Sequence, residues 1–157
     1  MKQTKIVFID SVRSAHNVGS IFRTSDGAGI TKIILGGYTP APVDRFGRVQ
    51  LEIKKTSLGA SSMIVWEQKV EINAQVTCVL NLKNDGFTIV ALEQTPQSIS
   101  LYDFKVPEKV VYIVGNEIDG VSKHLLELCD VVVEIPMLGQ KESLNVGVSA
   151  GILLFHK

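Results

Sequence analysis

Short apolar runs alternate with longer amphipathic segments along this chain. Six runs are rich in valine and isoleucine and bounded by polar residues or glycine, a pattern typical of buried β-strands. These predicted strands are residues 5–10, 32–37, 63–67, 87–93, 109–115 and 130–136. Apolar residues at helical spacing predict helices over residues 17–29, 70–85 and 121–129, and a last helix whose first turn carries Ser143 and Asn145. Residues 38–50 contain prolines, glycine and charges, which predicts a loop.

Residues at the ends of the predicted helices support these limits. We expect Asn17 to cap the first helix and Gly29 to end it, Gly86 to end the second, and Ser122 to cap the third. Strands alternate with helices, and several strands are continuous Val/Ile runs, as in parallel sheets buried on both faces. The chain is therefore predicted to form one α/β domain over residues 1–157, built on a mostly parallel sheet.

Composition limits the classes of partner. Acidic and basic residues balance at 16 each, so any polyanion must be bound by a local patch. No apolar run is long enough to span a membrane, and the amino terminus lacks the apolar region of a signal peptide. Cys78 and Cys129 lack the spacing of a zinc site or a redox pair and are expected to be small buried residues in a reducing cytosol.

Polar residues and glycines follow four of the predicted strands, at the edge of a parallel sheet where ligands bind. They lie in residues 10–25, 93–95, 115–120 and 137–147. Neither the glycine-rich dinucleotide fingerprint nor a Walker A loop is present. A bound nucleotide would therefore have to be held another way, for instance by backbone amides of the loops in the C-terminal half.

Three segments carry a resemblance to a known family. NVGSIFRTSDGAG, IVGNEIDGVS and IPMLGQKESLNVGVSAGI resemble, in order, the three motifs of the SpoU (TrmH) family of the SPOUT superfamily. GYTPAPV and KKTSLGA resemble the family's intervening segment, so the likeness covers essentially the whole chain. Members of this family are S-adenosylmethionine-dependent RNA ribose 2′-O-methyltransferases.

The resemblance implies several properties that spacing does not show. It implies a deep C-terminal trefoil knot, a feature almost absent from other proteins. It implies S-adenosylmethionine as cofactor, tRNA or rRNA as substrate, and a cytoplasmic homodimer. It also implies that residues 1–157 form a single SPOUT methyltransferase domain with no RNA-binding extension of the kind that many relatives carry. DNA is excluded as a substrate because it lacks the 2′-hydroxyl, no membrane association is expected, and no metal is expected because ligand clusters are absent.

Asn17 and Arg23 match the first motif, in which the arginine activates the ribose hydroxyl and the asparagine helps to place it. From the residues alone, Arg23 could equally be a surface arginine paired with Asp26. Arginine is normally protonated, with a pKa above 12, and is a poor free base. It could polarise the hydroxyl, hold the adjacent phosphate or lose a proton in a strongly perturbed site, and the sequence leaves these alternatives open.

The second and third motifs supply the other catalytic candidates. The resemblance places Glu117 in the active site, where it would orient the arginine, and Ser143 and Asn145 near substrate and cofactor. Taken alone, Glu117 could be an exposed loop acid capping the helix that follows, and Ser143 and Asn145 could cap the last helix.

By motif position, five residues line the cofactor pocket, which is expected to be mostly backbone. They are Leu92, Gly115, Ile135, Met137 and Leu144. Apolar residues and glycines at strand ends are more often simply core residues. One position departs from many relatives, which have a serine where Gly147 stands; glycine there disfavours the helix by ~1 kcal/mol relative to alanine.

Basic residues are concentrated in the first third of the chain and predict an RNA-binding face. They are Arg13, Arg23, Lys32, Arg45, Arg48, Lys54 and Lys55. For the lysines, an ordinary solvent-exposed surface without an RNA-binding role is an equally good interpretation. Two other functions stay open at this stage: an RNA-binding module of the same fold without transferase activity, and a methyltransferase that acts on a base rather than a ribose.

Overall fold

The computed structural model describes residues 2–157, which form a seven-stranded sheet flanked by helices. The strands are β1 (Thr4–Asp10), β2 (Lys32–Gly36), β3 (Val65–Lys69), β4 (Thr88–Leu92), β5 (Ile99–Ser100), β6 (Lys109–Val114) and β7 (Val131–Glu134). Their order across the sheet is β3-β2-β1-β6-β4-β7-β5, and every adjacent pair is parallel. The carboxyl ends of all strands therefore lie along one edge.

Helices cover both faces of this sheet, as the sequence predicts. They are α1 (Ala15–Gly27), α2 (Leu51–Ser57), α3 (Ile72–Asn84), α4 (Lys123–Leu126) and α5 (Val146–Phe155). Within β1, Val7 and Ile9 pack into the core under α1, α2 and α5, whereas Ile6 and Phe8 pack into the core under α3 and α4. Burying each such large side chain contributes about 1.5–3 kcal/mol to folding.

The start of α1 differs from the prediction. Ser14, not Asn17, caps the helix: the Ser14 hydroxyl accepts a hydrogen bond from the Asn17 amide at 3.1 Å. Asn17 lies one turn further in, so its side chain is free to make tertiary contacts. The predicted end is close to the observed one, because α1 stops at Gly27 and Gly29 follows with a φ of 72°.

Other differences arise where the apolar signal is weak. Helix α2 falls in a segment assigned no element, since it buries only Ile53 and Ser57. Strand β3 begins two residues later than predicted, because parallel pairing sets its register with Val65 opposite Lys32. Helix α4 is shorter than predicted. Strand β5 has only two residues and was not predicted.

Helices α1 and α5 lie side by side and run parallel to each other, from amino to carboxyl end. A Cβ atom on Gly27 would lie 3.3 Å from the Phe155 ring, and one on Gly151 would lie 3.7 Å from the Thr24 methyl group. This close packing sets the start of α5 beside the start of α1. It positions the residues described in the next subsection.

Cys78 and Cys129 are both free and half-buried, so the expected burial is only partly met. Burial, reinforced by nearby Asp130, raises the pKa of the Cys129 thiol to about 12. Burial and then Glu67 raise the pKa of Cys78. Within residues 2–157, no helix has the length and apolar character needed to cross a membrane.

Candidate active site

A cavity of about 540 Å³ opens at the carboxyl edge of the sheet. Three chain segments line it: the ends of β4 and β6 with the loops that follow them, and the segment from the end of β7 into α5. All five residues predicted to contact a cofactor line this cavity: Leu92, Gly115, Ile135, Met137 and Leu144. Three predicted catalytic residues line it as well: Glu117, Ser143 and Asn145.

The loop after β6 is closed tightly by its own backbone. The Asn116 and Gly120 amides each donate to the other residue's carbonyl at 3.0 Å. The Asn116 side-chain oxygen accepts from the amides of Ile118 and Asp119, at 2.8 and 2.9 Å. A Cβ atom on Gly115 would collide with the backbone of Gly120 and Val121. Glycine is therefore required at position 115 for this loop to fold back over the strand end.

Two carboxylates hold the far side of the same loop. Glu93, after β4, accepts a hydrogen bond from the Val121 amide at 3.0 Å. Asp10, the last residue of β1, is almost fully buried and accepts from the Ser122 amide at 2.6 Å. Asp10 was not predicted as a site residue. The sequence feature that could have indicated it is a charged residue at the end of an otherwise apolar buried strand.

Three predicted catalytic residues form one hydrogen-bonded chain beside the cavity. The Asn17 Nδ2 donates to Glu117 Oε1 at 3.4 Å, and Asn145 Nδ2 donates to Asn17 Oδ1 at 3.2 Å. The Asn145 Oδ1 caps α5 by accepting from the amides of Gly147 and Val148, at 2.8 and 3.3 Å. Glu117 Oε1 also faces the Ser14 amide at 3.5 Å, where the positive end of the α1 dipole favours a carboxylate.

The charge of the cavity limits what it can bind. Its ionisable lining residues are all acidic and comprise Glu93, Glu117, Asp119 and Glu134. Carboxylates without a neighbouring cation repel phosphate groups and attract positive charge. The arrangement therefore suits a ligand with a cationic centre and apolar or hydroxyl-bearing parts better than a nucleoside di- or triphosphate.

Comparison with known proteins decides the family. The sequence model of the SpoU rRNA Methylase family matches residues 4–155. This chain belongs to the SpoU rRNA Methylase family.

SpoU relatives named as ribose methyltransferases align with most of the chain. The 23S rRNA (guanosine-2′-O-)-methyltransferase RlmB of Neisseria meningitidis is 30% identical over 149 residues, covering 95% of this chain and 56% of that protein. The tRNA (guanosine(18)-2′-O)-methyltransferase of Aquifex aeolicus is 34% identical over 151 residues, covering 96% of this chain and 67% of that protein.

A solved structure of an rRNA methyltransferase has the same α/β fold. An AdoMet-bound rRNA methyltransferase from Sinorhizobium meliloti matches with a TM-score of 0.84 and 26% identity, covering 99% of this chain and 56% of that chain. The present chain thus spans little more than half the length of several relatives that it matches.

The two candidate residues of the first SpoU motif lie in different environments. Asn17 is buried and joined to the two other motifs, whereas Arg23 is exposed on α1 and does not line the cavity. Within residues 2–157, Arg23 makes no ion pair, so the alternative pairing with Asp26 is not formed. Ser143 is exposed and lies before α5 rather than in its first turn; Asn145 alone caps that helix.

The SpoU position occupied here by Gly147 lies against α1. A Cβ atom at this position would lie 3.1 Å from the capping oxygen of Asn145 and 3.6 Å from the Ser20 Cβ. A larger residue would crowd the Asn145 cap, so glycine leaves room for the Asn17–Asn145 hydrogen bond. The room for this hydrogen bond offsets part of the lower helix propensity of glycine at position 147.

Proposed function

We propose that this chain is an S-adenosylmethionine-dependent methyltransferase that modifies a ribose 2′-hydroxyl of tRNA or rRNA. The observation that carries the proposal is the acidic cavity, bordered on one side by the Glu117–Asn17–Asn145 chain. The relatives named above act on rRNA and tRNA guanosines at this same hydroxyl. We propose the cytoplasm as the compartment, where these RNAs are modified.

The cavity suits S-adenosylmethionine by its acidic charge and its apolar lining residues. This cofactor supplies an electrophilic methyl group on a positively charged sulfur. Leu92, Ile135, Met137 and Leu144 would provide apolar contacts, and the closed loop at Gly115 would provide backbone groups. The acidic lining favours the positive charge of the bound cofactor.

The hydrogen-bonded chain would align the reacting groups. Asn17 is 8% exposed, with both ends of its amide engaged, so we assign it to positioning Glu117 and Asn145. Glu117 Oε2 makes no hydrogen bond within residues 2–157, which leaves it open to a cation. An arginine held there would remain protonated and could donate a hydrogen bond to the ribose oxygen or the adjacent phosphate.

A second copy of the chain would supply that arginine. Arg23 lies outside its own cavity, and the exposed face of α5 carries Val148, Ile152 and Phe155, which are 52%, 37% and 57% exposed. No charged residue occurs within α5. We propose a homodimer in which this apolar face is covered and Arg23 of the partner subunit approaches Glu117.

Paired variants test this composite site. Arg23→Ala and Leu144→Arg, co-expressed with different tags, form mixed dimers in which one site keeps both an intact cavity and an intact arginine. About a quarter of wild-type transfer is expected in a statistical mixture. Background activity in purified mixed dimers would refute the shared site, and a monomer in light scattering would refute the dimer.

We also propose the trefoil knot. Its support is the fold match and the sheet order, in which β7 lies between β4 and β5 while the following segment reaches back over the cavity. There the Gln94 side chain donates to the Glu142 carbonyl at 2.8 Å. A crystallographic chain trace in which α5 does not thread a loop would contradict this proposal.

Labelled transfer tests the activity itself. The protein is incubated with methyl-labelled S-adenosylmethionine and unmodified tRNA or rRNA, and the digested nucleosides are analysed by mass spectrometry. Label in a 2′-O-methylated nucleoside is expected. Label in a base would replace the ribose assignment, and cofactor binding without label in either pool would favour an RNA-binding module. DNA of the same sequence is expected to receive no label.

A further inference from the structure

The segment between β2 and α2 contains a compact turn with a basic tip, residues 43–49, here called the basic turn. Val43 and Val49 pair as an antiparallel bridge at its base. The Asp44 amide donates to the Arg48 carbonyl at 2.9 Å, and the Gly47 amide donates to the Asp44 carbonyl at 3.0 Å. Gly47 has a φ of 77°, which glycine adopts without strain.

One carboxylate fixes the shape of the basic turn. Asp44 Oδ1 accepts from the amides of Phe46 and Arg48, at 2.8 and 2.9 Å, and Oδ2 accepts from Arg48 Nε at 2.7 Å. The Arg48 amide, together with the other Arg48 and Phe46 contacts, lowers the pKa of Asp44. Its carboxylate is therefore charged and its bonds intact at neutral pH, so the turn is ordered before any ligand arrives.

An aromatic ring with two guanidinium groups forms the tip. Phe46 is 66% exposed and belongs to neither hydrophobic core. The guanidinium carbons of Arg45 and Arg48 lie 4.7 and 5.0 Å from the centre of its ring. Arg45 makes no ion pair in the part of the chain the structure describes, and Arg48 uses only Nε on Asp44.

The basic turn lies on the edge of the sheet that carries the cavity. Below it, a depression of about 830 Å³ is lined by Tyr38 and by residues of the turn. The Tyr38 hydroxyl accepts a hydrogen bond from Asn116 Nδ2 at 2.8 Å, and Asn116 belongs to the loop that lines the cavity. Arg13 lies over the Tyr38 ring at 5.5 Å and adds a further positive charge.

We propose that the basic turn is a docking site for an unpaired segment of the RNA substrate. A base stacks on the Phe46 ring, while Arg45 and the free nitrogens of Arg48 contact flanking phosphates. Aromatic platforms beside arginines bind single-stranded RNA in this way. Residues 38–55 carry four basic and two acidic side chains, unlike the balanced chain as a whole, so their charge complements a polyanion. This inference rests on RNA being the substrate.

Binding measurements with the whole protein test it. Fluorescence anisotropy with labelled unmodified tRNA or an rRNA fragment is expected to show binding about tenfold weaker for Phe46→Ala than for wild type. Tyr102, 70% exposed and outside the basic turn, provides the matched aromatic control, and Tyr102→Ala is expected to bind as wild type. Phe46→Trp is expected to retain binding. Equal affinities for Phe46→Ala and Tyr102→Ala, with the fold intact, overturn the proposal.

Salt dependence tests the arginine. Arg45→Ala is expected to reduce the slope of log affinity against log salt by about 0.7–0.9 for one lost phosphate contact. The control is Lys109→Ala. Lys109 is the first residue of β6 and lies at the amino-terminal ends of the strands, away from the basic turn, so the slope is expected to stay unchanged. An unchanged slope for Arg45→Ala refutes the phosphate contact.

Competition identifies the occupant. Poly(U) is expected to displace the labelled RNA, and polyglutamate at equal charge is not. Equal displacement by polyglutamate overturns the base-stacking role. The proposed activity can fail separately: wild-type protein that binds RNA through Phe46 but transfers no methyl group refutes the activity while supporting the docking site. Wild-type protein that binds no RNA refutes both.

Discussion

Asn145 donates a hydrogen bond to Asn17 across a separation of 128 residues in the chain. The same Asn145 side chain caps α5 through its oxygen. One amide group thus fixes both the start of the last helix and the orientation of a buried residue beside the cavity. Its two functions can be separated, because each uses a different atom.

Asn145→Asp keeps the capping oxygens but removes the donor to Asn17. We expect stability close to that of wild type, since aspartate is as good a cap as asparagine. Methyl transfer is expected to fall by about tenfold or more, which corresponds to about 1.4 kcal/mol of transition-state stabilisation. Asn145→Ala removes both contacts and is expected to lose about 0.5–2 kcal/mol of stability as well. Thermal unfolding and kcat of the two variants check this; equal kcat for Asn145→Asp and wild type would disprove the alignment role.

Arg23→Ala is expected to abolish methyl transfer while changing cofactor affinity by no more than about threefold. The proposed cofactor contacts are cavity residues other than Arg23, and the proposed partner of Arg23 is Glu117 of the other subunit, on the side of the ribose. Arg23→Lys keeps the charge but loses the planar donor geometry, and we expect it to restore only part of the activity. Asp26→Ala, on the same helix, is the control. Near-wild-type transfer by Arg23→Ala would rule out the assigned role.

Leu144→Arg is expected to abolish cofactor binding measured by calorimetry. Leu144 lines the acidic cavity, and an arginine there would occupy the space and pair with its carboxylates. Leu138, 97% exposed and outside the cavity lining, provides the matched control, so Leu138→Arg should bind normally. Undisturbed binding by Leu144→Arg would remove this residue from the cofactor site.

Gly115→Ala is expected to destabilise the protein by about 1–3 kcal/mol, because the added methyl group meets backbone that cannot move independently. Cofactor affinity should fall with it, since the loop after β6 lines the cavity. Gly139 has open space around its Cα, and Gly139→Ala should leave both quantities close to wild type. Chemical denaturation and calorimetry provide the measurements. Equal stability of the two alanine variants would contradict the tight closure of the loop.

The sheet could be predicted because its strands are continuous apolar runs, and a parallel arrangement places polar residues from distant loops on one edge. The five proposed cofactor contacts come from the resemblance to the SpoU motifs, not from the strand pattern. All five line the cavity, and their contact with a cofactor stays a prediction. The individual roles of Ser14 and Asn17 could not be predicted in this way. Both residues are good helix caps, and only the packing of α5 against α1 gives Asn17 another partner.

Asp10 and the basic turn illustrate what local patterns miss. The structural role of Asp10 depends on Ser122, which lies 112 positions away in the chain. The Asp10 carboxylate accepts a hydrogen bond from the Ser122 amide. Residues 38–50, which contain the basic turn, are predicted to be a loop from their prolines, glycine and charges, and this is correct. The pattern does not show that a ring and two guanidinium groups gather at the tip of the turn. Helix α2 was missed since most of its side chains are solvent-exposed or only half-buried and leave no strong apolar period.

The pairing of β1 with β6 joins Thr4 to Lys109 and runs through the middle of the sheet. The cavity is lined by residues 92–149 alone, but the Glu117–Asn17–Asn145 chain beside it joins that half of the protein to α1. These contacts need the long-range pairing of β1 with β6, and closing such loops is slow. During refolding, helical signal in circular dichroism should therefore recover before methyl transfer does. The aligned site is a late product of folding, assembled when the two halves of the chain have found each other.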